Sequence, residues 1–122
     1  MSRRIFFDTN VLLDMLTGRE PFFGNAAALW AMAERREIVG FVSAASIPTI
    51  YYLLRRAADH KKAIRAIKGV RDVFEIVTLD PKMIDQSLDG GFADLEDGIQ
   101  ACAAVRADAE CIVTRDVKGF RR

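Results

Sequence analysis

Near the amino terminus the sequence reads Ile5-Phe6-Phe7-Asp8, an apolar run that ends at an aspartate. The pattern recurs near the other end, where Cys111-Ile112-Val113 leads through Thr114 and Arg115 to Asp116. Short continuous apolar runs are typical of strands that are buried on both faces of a parallel sheet. The carboxyl ends of parallel strands lie at one edge of the sheet, where α/β proteins bind ligands. The two stretches therefore predict an α/β fold with acidic side chains gathered at one edge.

Apolar periodicity and turn residues predict that helices alternate with strands along the chain. The expected order is a strand at 4–8, helices at 11–17 and 25–37, a strand at 38–42, a helix capped by Ser43 or Ser46, a helix between Asp59 and Gly69, a strand at 73–77, helices at 81–89 and 95–108, and a strand at 110–114. Such alternation favours βαβ crossovers and a parallel sheet covered by helices on both faces.

The composition predicts one domain over residues 1–122, because 122 residues with 51% hydrophobic content can build one core but not two. The net charge of +1 neither requires nor excludes a polyanionic partner. No apolar run approaches the roughly 18 residues that span a membrane, so we expect a cytoplasmic protein with no membrane partner. Cys102 and Cys111 fit no metal-binding or redox spacing, and we expect reduced thiols in the core.

A third acidic group, Asp94-Leu95-Glu96-Asp97, opens the last predicted helix. Two unit charges about 4 Å apart repel by roughly 4 kcal/mol at an effective dielectric near 20, so clustered carboxylates favour a bound cation. We therefore expect a divalent metal site built from the acids at the strand ends and this helix. Each acid also has a simpler interpretation: Asp8 and Asp94 can cap helices, and Asp116 can be a turn residue.

Helical geometry ranks the acids of the last helix as metal ligands. Asp94 and Asp97 lie about 60° apart around the helix axis, whereas Glu96 lies about 160° from Asp94. Asp97 is therefore the first candidate, Asp94 the second and Glu96 the third. Asn10, two positions after Asp8, is placed to orient a metal-bound water.

Three motifs together resemble the PIN domain family, and are most similar to its bacterial VapC-type toxins of toxin–antitoxin pairs. They are Phe6-Phe7-Asp8-Thr9-Asn10-Val11-Leu12-Leu13-Asp14, Asp94-Leu95-Glu96-Asp97-Gly98-Ile99-Gln100-Ala101-Cys102-Ala103 and Ile112-Val113-Thr114-Arg115-Asp116-Val117-Lys118-Gly119-Phe120. The resemblance covers essentially the whole chain. It implies a three-layer α/β/α fold with a central parallel sheet of four or five strands. It also implies an Mg²⁺- or Mn²⁺-dependent endoribonuclease that forms a homodimer and has an antitoxin protein as a possible partner.

By position, the resemblance implies catalytic and metal-binding roles for Asp8, Asp97 and Asp116. Asp94 matches a frequent accessory acid, and Thr114 matches a hydroxyl residue beside the last acid. Members of the family usually add a glutamate from the helix after the second strand, but residues 46–52 offer only hydroxyls there. Three acids can hold one Mg²⁺ through waters, whereas a second ion would be harder to hold. The chain stops soon after the last motif, so we expect a carboxyl terminus shortened relative to the family.

Basic residues between 55 and 71 predict a surface that follows an RNA backbone, since this segment contains a single acid, Asp59. Its cations are Arg55, Arg56, Lys61, Lys62, Arg65, Lys68 and Arg71. Arg115 and Lys118 are further candidates for phosphate contact. The alternatives are a solvated charged face or a surface for an acidic partner protein.

Other classes fit the sequence less well. A response-regulator receiver needs two adjacent acids after the first strand, and a haloacid-dehalogenase-type phosphatase needs Asp-x-Asp, but Thr9-Asn10 follows Asp8. A PIN-like module that binds protein or RNA without cutting remains an alternative, because the second-helix acid is missing. We also expect self-association through Trp30 and Tyr51-Tyr52, unless Trp30 belongs to the core.

Overall fold

Four parallel strands form the central sheet of the computed structural model, which describes residues 3–115. The strands are β1 (Arg3–Phe7), β2 (Ile38–Ser43), β3 (Glu75–Val77) and β4 (Cys111–Val113), and they lie in the order β3-β2-β1-β4. The helices are α1 (Thr9–Thr17), α2 (Phe23–Glu34), α3 (Ser46–Ala57), α4 (His60–Val73), α5 (Pro81–Asp89) and α6 (Leu95–Arg106). The predicted α/β class and the order of elements are confirmed.

Neighbouring residues of β1 divide the core into two halves. Phe7 packs in one cluster with side chains from α1 to α4, among them Leu12 and Ile50. Phe6 packs in a second cluster, on the opposite face of the sheet, with Met83 of α5 and alanines of α6. Successive side chains of a strand point to opposite faces, so β1 is covered on both sides. The fold is therefore the expected three-layer α/β/α arrangement.

Phe74, between α4 and β3, fills the centre of the larger cluster. Its ring meets those of Phe7 and Trp30 edge-on, with centroids 4.9 and 5.0 Å away. A Cβ atom added to Gly40 of β2 would lie 2.5 Å from a carbon of the Phe74 ring, so the glycine makes room for this ring. Trp30 is only 6% exposed. Trp30 therefore belongs to the core, and self-association through the helices that hold Trp30 and Tyr51-Tyr52 stays a prediction.

Several predicted boundaries were wrong, most clearly at the ends of α4 and α2. Gly69 does not end a helix: α4 continues to Val73, and β3 starts only at Glu75. Glycine ends a helix most effectively in the left-handed conformation, which Gly18 adopts after α1 with a φ of 66° and Gly69 does not. The helix expected at 25–37 is α2, which ends at Glu34 because Arg36 turns the chain with a φ of 61°.

The two cysteines are both free, as expected, but they are not core residues. Cys102 is half-buried, and Cys111 is exposed. The expectation failed for Cys111 because β4 is an edge strand, with β1 as its only neighbour in the described sheet. Among residues 3–115, no helix combines the length and apolarity needed to cross a membrane.

The contact between Gly40 and Phe74 generates a stability prediction. Gly40→Ala should lower the free energy of unfolding by about 1–3 kcal/mol, because the new methyl group overpacks the core. Gly69→Ala is the matched control: a Cβ there meets nothing within 4 Å, and alanine favours the helix by about 1 kcal/mol. Urea unfolding of both variants checks this, and a Gly40→Ala protein as stable as the wild type would contradict the packing described.

Candidate active site

Asp8 is a buried acid at the carboxyl end of β1, with 4% of its surface exposed. Its backbone N–H donates to the carbonyl of Val113 at 3.0 Å, which ties it to β4. The Thr114 hydroxyl donates to Oδ2 of Asp8 at 2.9 Å. Asp8 precedes α1, but its carboxylate accepts no hydrogen bond from the first-turn amides of that helix, all of which the structure describes. The side chain is therefore held by Thr114 and does not cap α1.

The acids at the start of α6 lie in three different environments. Asp94 caps the helix, because its Oδ1 accepts a hydrogen bond from the backbone N–H of Asp97 at 3.1 Å. Asp97 is half-buried, and Glu96 is exposed as a whole residue. Partial burial of its carboxyl group is the main reason that the pKa of Glu96 is raised, and the negative charges of Asp94 and Asp8 raise it further. The amino terminus of α6 thus faces the same crevice as Asp8.

The surroundings of Glu96 and Asp94 bear on their ranking as metal ligands. Glu96, ranked third from the helical wheel, is within range of the charge on Asp8. Asp94, ranked second, uses one carboxylate oxygen to cap α6. The wheel describes the helix alone and not the crevice that the helix faces, and the order of these acids as ligands stays a prediction.

The donors available at this edge are of the type that Mg²⁺ and Mn²⁺ prefer, since they are carboxylates whose mutual repulsion a cation relieves. Within residues 3–115, no three acidic, histidine or cysteine side chains lie close enough together to hold an ion. Asp116 and Lys118 lie outside the described residues. The convergence of Asp8, Asp97 and Asp116 therefore stays a prediction, and the described residues supply only part of the expected donor set.

Asn10 and the basic residues of the segment 55–71 are exposed. Asn10 lies in the first turn of α1, next to the buried pair Asp8 and Thr9. The cations predicted to bind RNA in this segment lie on α3 and α4, and all seven are exposed: Arg55, Arg56, Lys61, Lys62, Arg65, Lys68 and Arg71. At a rise of 1.5 Å per residue, Arg55 lies about 14 Å along α3 from Ser46, so this basic surface is separate from the acids.

A buried polar cluster connects three elements beneath the acids, and sequence reasoning missed it. The hydroxyls of Thr9 and Ser46 lie 2.6 Å apart. Nε2 of Gln100 donates to the Thr9 hydroxyl at 3.3 Å and to the Ser46 hydroxyl at 3.1 Å. All three residues are almost completely buried. A sequence signal was present, since Gln100 is a polar residue within the apolar stretch of α6 and lies one turn after Asp97.

A second buried acid, Asp14 of α1, was also missed. Its side chain is 2% exposed, and its Oδ2 lies 2.8 Å from Nε of Arg115 in a geometry that fits an ion pair rather than a directed hydrogen bond. The guanidinium of Arg115 also stacks over the ring of Phe22 at 4.4 Å. The residue predicted to contact phosphate is thus anchored to α1 and to the segment before α2.

Comparison with known proteins identifies the family. A family model described as the PIN domain matches residues 4–118. The chain belongs to the PIN domain family. It is 28% identical to ribonuclease VapC1 of Aquifex aeolicus (strain VF5), in an alignment that covers 94% of this chain and 83% of that protein. The receiver and phosphatase interpretations are therefore wrong.

Solved structures show the same fold. The toxin VapC20 of Mycobacterium tuberculosis, described as cleaving the sarcin–ricin loop, superposes with a TM-score of 0.73 and 19% identity, over 93% of this chain and 90% of that one. VapBC2 of Rickettsia felis, bound to a promoter DNA fragment, gives a TM-score of 0.64 and 15% identity, over 93% of this chain and 89% of that one.

In the chain described here, the helix after β2 is α3, which starts at Ser46, a completely buried residue.

The ion pair between Asp14 and Arg115 generates a prediction for this PIN domain. Arg115→Met should lower the free energy of unfolding by about 3–5 kcal/mol, because it leaves a buried carboxylate without its cation. Arg3→Met is the matched control, since it breaks an ion pair with Glu110 in which the side chains are 66% and 49% exposed. Such exposed pairs contribute about 0–1 kcal/mol. Equal losses in urea unfolding would show that Arg115 does not neutralise Asp14.

Proposed function

We propose that the chain is a metal-dependent endoribonuclease that hydrolyses phosphodiester bonds of RNA and acts as the toxin of a toxin–antitoxin pair. The observation that supports this most is the environment of Asp8, a buried carboxylate held by Thr114 at the sheet edge, whose charge acts on Glu96 of α6. Its similarity to ribonuclease VapC1 supports the same activity. RNA is the proposed substrate, and the cytoplasm is the proposed location.

In this proposal Asp8, Asp97 and Asp116 hold the ion, with Asp94 and Glu96 as accessory acids. Mg²⁺ or Mn²⁺, when bound, supplies an activated water for attack on the phosphorus and offsets the charge that develops on the phosphate. Thr114 restrains the rotamer of Asp8 by its hydrogen bond to Oδ2. Asn10, exposed beside Asp8, orients the water by its side-chain amide.

The basic residues give the RNA two places to bind. Arg115 directly follows Thr114, which donates a hydrogen bond to Asp8, and its contacts with Asp14 and Phe22 keep its guanidinium ordered before RNA arrives. A cation that is already ordered loses less conformational entropy when it binds phosphate. Lys118 is proposed to act beside it. Arg55, Arg56, Lys61 and Lys62 form a more distant surface that follows the backbone by charge alone.

A non-catalytic PIN module is the second candidate. It is favoured by Ser46, a buried neutral residue at the start of the helix from which the family usually supplies a glutamate. Such a module would bind RNA or an antitoxin protein and leave the phosphodiester bond intact. An antitoxin is a proposed partner in either case.

Replacement of Asp97 tests the enzyme proposal. Asp97→Asn should abolish cleavage of single-stranded RNA in Mg²⁺ or Mn²⁺, because it removes a charge from the metal site while keeping the size of the side chain. The unfolding temperature without metal should hold or rise in the variant, and the stabilisation gained from added Mn²⁺ should shrink. Gel assays of RNA cleavage and thermal unfolding with and without Mn²⁺ measure these effects.

Asp85→Asn is the matched control for that experiment. Asp85 is an exposed residue of α5, so the replacement removes the same charge away from the acids and should leave cleavage and the effect of Mn²⁺ unchanged. Equal cleavage by wild type and Asp97→Asn would refute the site. Absence of cleavage by the wild type itself would favour the binding module.

We also propose that the protein forms a homodimer through the exposed face of α3. Tyr52 and Leu53 are 60% and 42% exposed there, and aromatic residues are enriched at interfaces. Tyr52→Glu should reduce the mass measured by light scattering from that of a dimer to that of a monomer. Val105→Glu is the control on α6, where Val105 is 81% exposed. A dimer that survives the first change and dissociates with the second would move the interface to α6.

A further inference from the structure

We infer that Gln100 is a positioning residue of the nuclease site, which it orients through Thr9 and Ser46. This inference rests on the proposed ribonuclease function and adds a role that the acids alone do not explain. Thr9 follows Asp8 directly in the chain. Gln100 lies one turn after Asp97 and Glu96 on α6, and Ser46 opens α3. The cluster therefore joins the elements that carry Asp8 and the α6 acids to α3, the helix that supplies no acid.

The three side chains of the cluster form a closed ring of hydrogen bonds. The amide of Gln100 has two N–H donors, and they reach the two hydroxyls at 3.3 and 3.1 Å. The hydroxyls lie 2.6 Å from each other, so one donates to the other. Each residue thus contacts both of the others. None of the three can move without changing two hydrogen bonds.

Burial makes these bonds costly to break. Gln100 is 1% exposed, Thr9 3% and Ser46 0%, so water cannot replace a lost partner without opening the core. An unsatisfied buried polar group costs about 1–3 kcal/mol. The cluster consequently ties α6 to the start of α1 and of α3 by directed hydrogen bonds, which apolar packing alone does not supply.

The carbonyl oxygen of the Gln100 side chain, Oε1, indicates that the cluster has a role besides stability. Among residues 3–115 this oxygen has no hydrogen-bond partner, although it is buried. Buried polar groups without partners are rare in native proteins and call for a functional explanation. Leucine or methionine would fill the same space in a purely structural helix.

The position of Gln100 relative to the acids supplies that explanation. On an α-helix, residues three and four positions apart lie on one face. Gln100 is therefore on the same face as Asp97 and Glu96, and it anchors that face one turn below them. Thr9 is anchored in the same way next to Asp8. The three bonds thus fix the two acid groups relative to each other before any ion binds.

Gln100→Met tests the inference, because it keeps the length of the side chain and removes the amide. We expect the fold to survive, kcat on RNA to fall about 10- to 100-fold with little change in KM, and the Mn²⁺ concentration for half-maximal thermal stabilisation to rise. Ser87→Ala is the matched control. It removes a buried hydrogen bond from Ser87 to the carbonyl of Met83 on α5, and should lower the unfolding temperature without changing kcat or the Mn²⁺ midpoint.

A second pair of variants keeps the test independent of the folding of Gln100→Met. Thr9→Val removes the hydroxyl and should reduce kcat as Gln100→Met does, whereas Thr9→Ser retains the hydroxyl and should restore it. The double variant Thr9→Val/Gln100→Met should lose little more than either single variant, because both break the same cluster.

The outcomes separate this inference from the proposed function. Cleavage by the wild type together with a kcat within about twofold in Gln100→Met and Thr9→Val would overturn the positioning role and leave the nuclease intact. Equal effects of Ser87→Ala and Gln100→Met on kcat would also overturn it, since general destabilisation would then explain both. No cleavage and no Mn²⁺ stabilisation in the wild type would overturn the nuclease itself, and the positioning role with it.

Discussion

The burial of β1 on both faces is the constraint on which the rest of the structure depends. Phe6 and Phe7 are both almost fully inaccessible, one on each side of the sheet. Apolar burial of this kind contributes roughly 25 cal/mol per Å² of surface removed from water, so the strand has one stable place, between β2 and β4. Asp8 follows Phe7 directly, at the carboxyl end of this strand. The hydrophobic effect thus places a carboxylate where an isolated charge would be least stable.

Among residues 3–115, the buried aspartates Asp8 and Asp14 lie in different surroundings. Asp14 lies against the guanidinium of Arg115 and contributes to the connection between α1 and the end of β4. This ion pair gives Asp14 a structural role. Asp8 accepts a hydrogen bond from the Thr114 hydroxyl, and its negative charge helps to raise the pKa of Glu96. Acids with a perturbed pKa are more frequent at sites that act on a ligand than at sites that only stabilise a fold.

Most of the architecture could be predicted from the sequence, because strands and helices depend on the spacing of apolar residues, and this spacing can be read from the sequence. The apolar run at 5–7 and the helical spacing elsewhere gave the element order correctly. Gly69 misled because a glycine acts as a stop signal only through its backbone conformation, which the sequence does not show. The exposure of Cys111 depends on strand order, and strand order is a property of the whole sheet.

The site was less accessible to sequence reasoning, for a physical reason. Asp8 and the acids of α6 could be found because strand ends and helix starts have known positions. Gln100, Ser46 and Thr9 are 37 to 91 residues apart in the chain. Their hydrogen bonds depend on tertiary contacts, and each residue alone suggests nothing more than an ordinary buried polar group. The same holds for the pairing of Asp14 with Arg115.

The pairing of β1 with β4 has a consequence for synthesis of the protein. Asp8 is separated by more than a hundred residues from its backbone and side-chain partners, Val113 and Thr114. Contacts of such long sequence separation form slowly, because the chain between them must be closed into a loop first. A nascent chain that stops before Val113 cannot hold Asp8 in place, whatever else has folded.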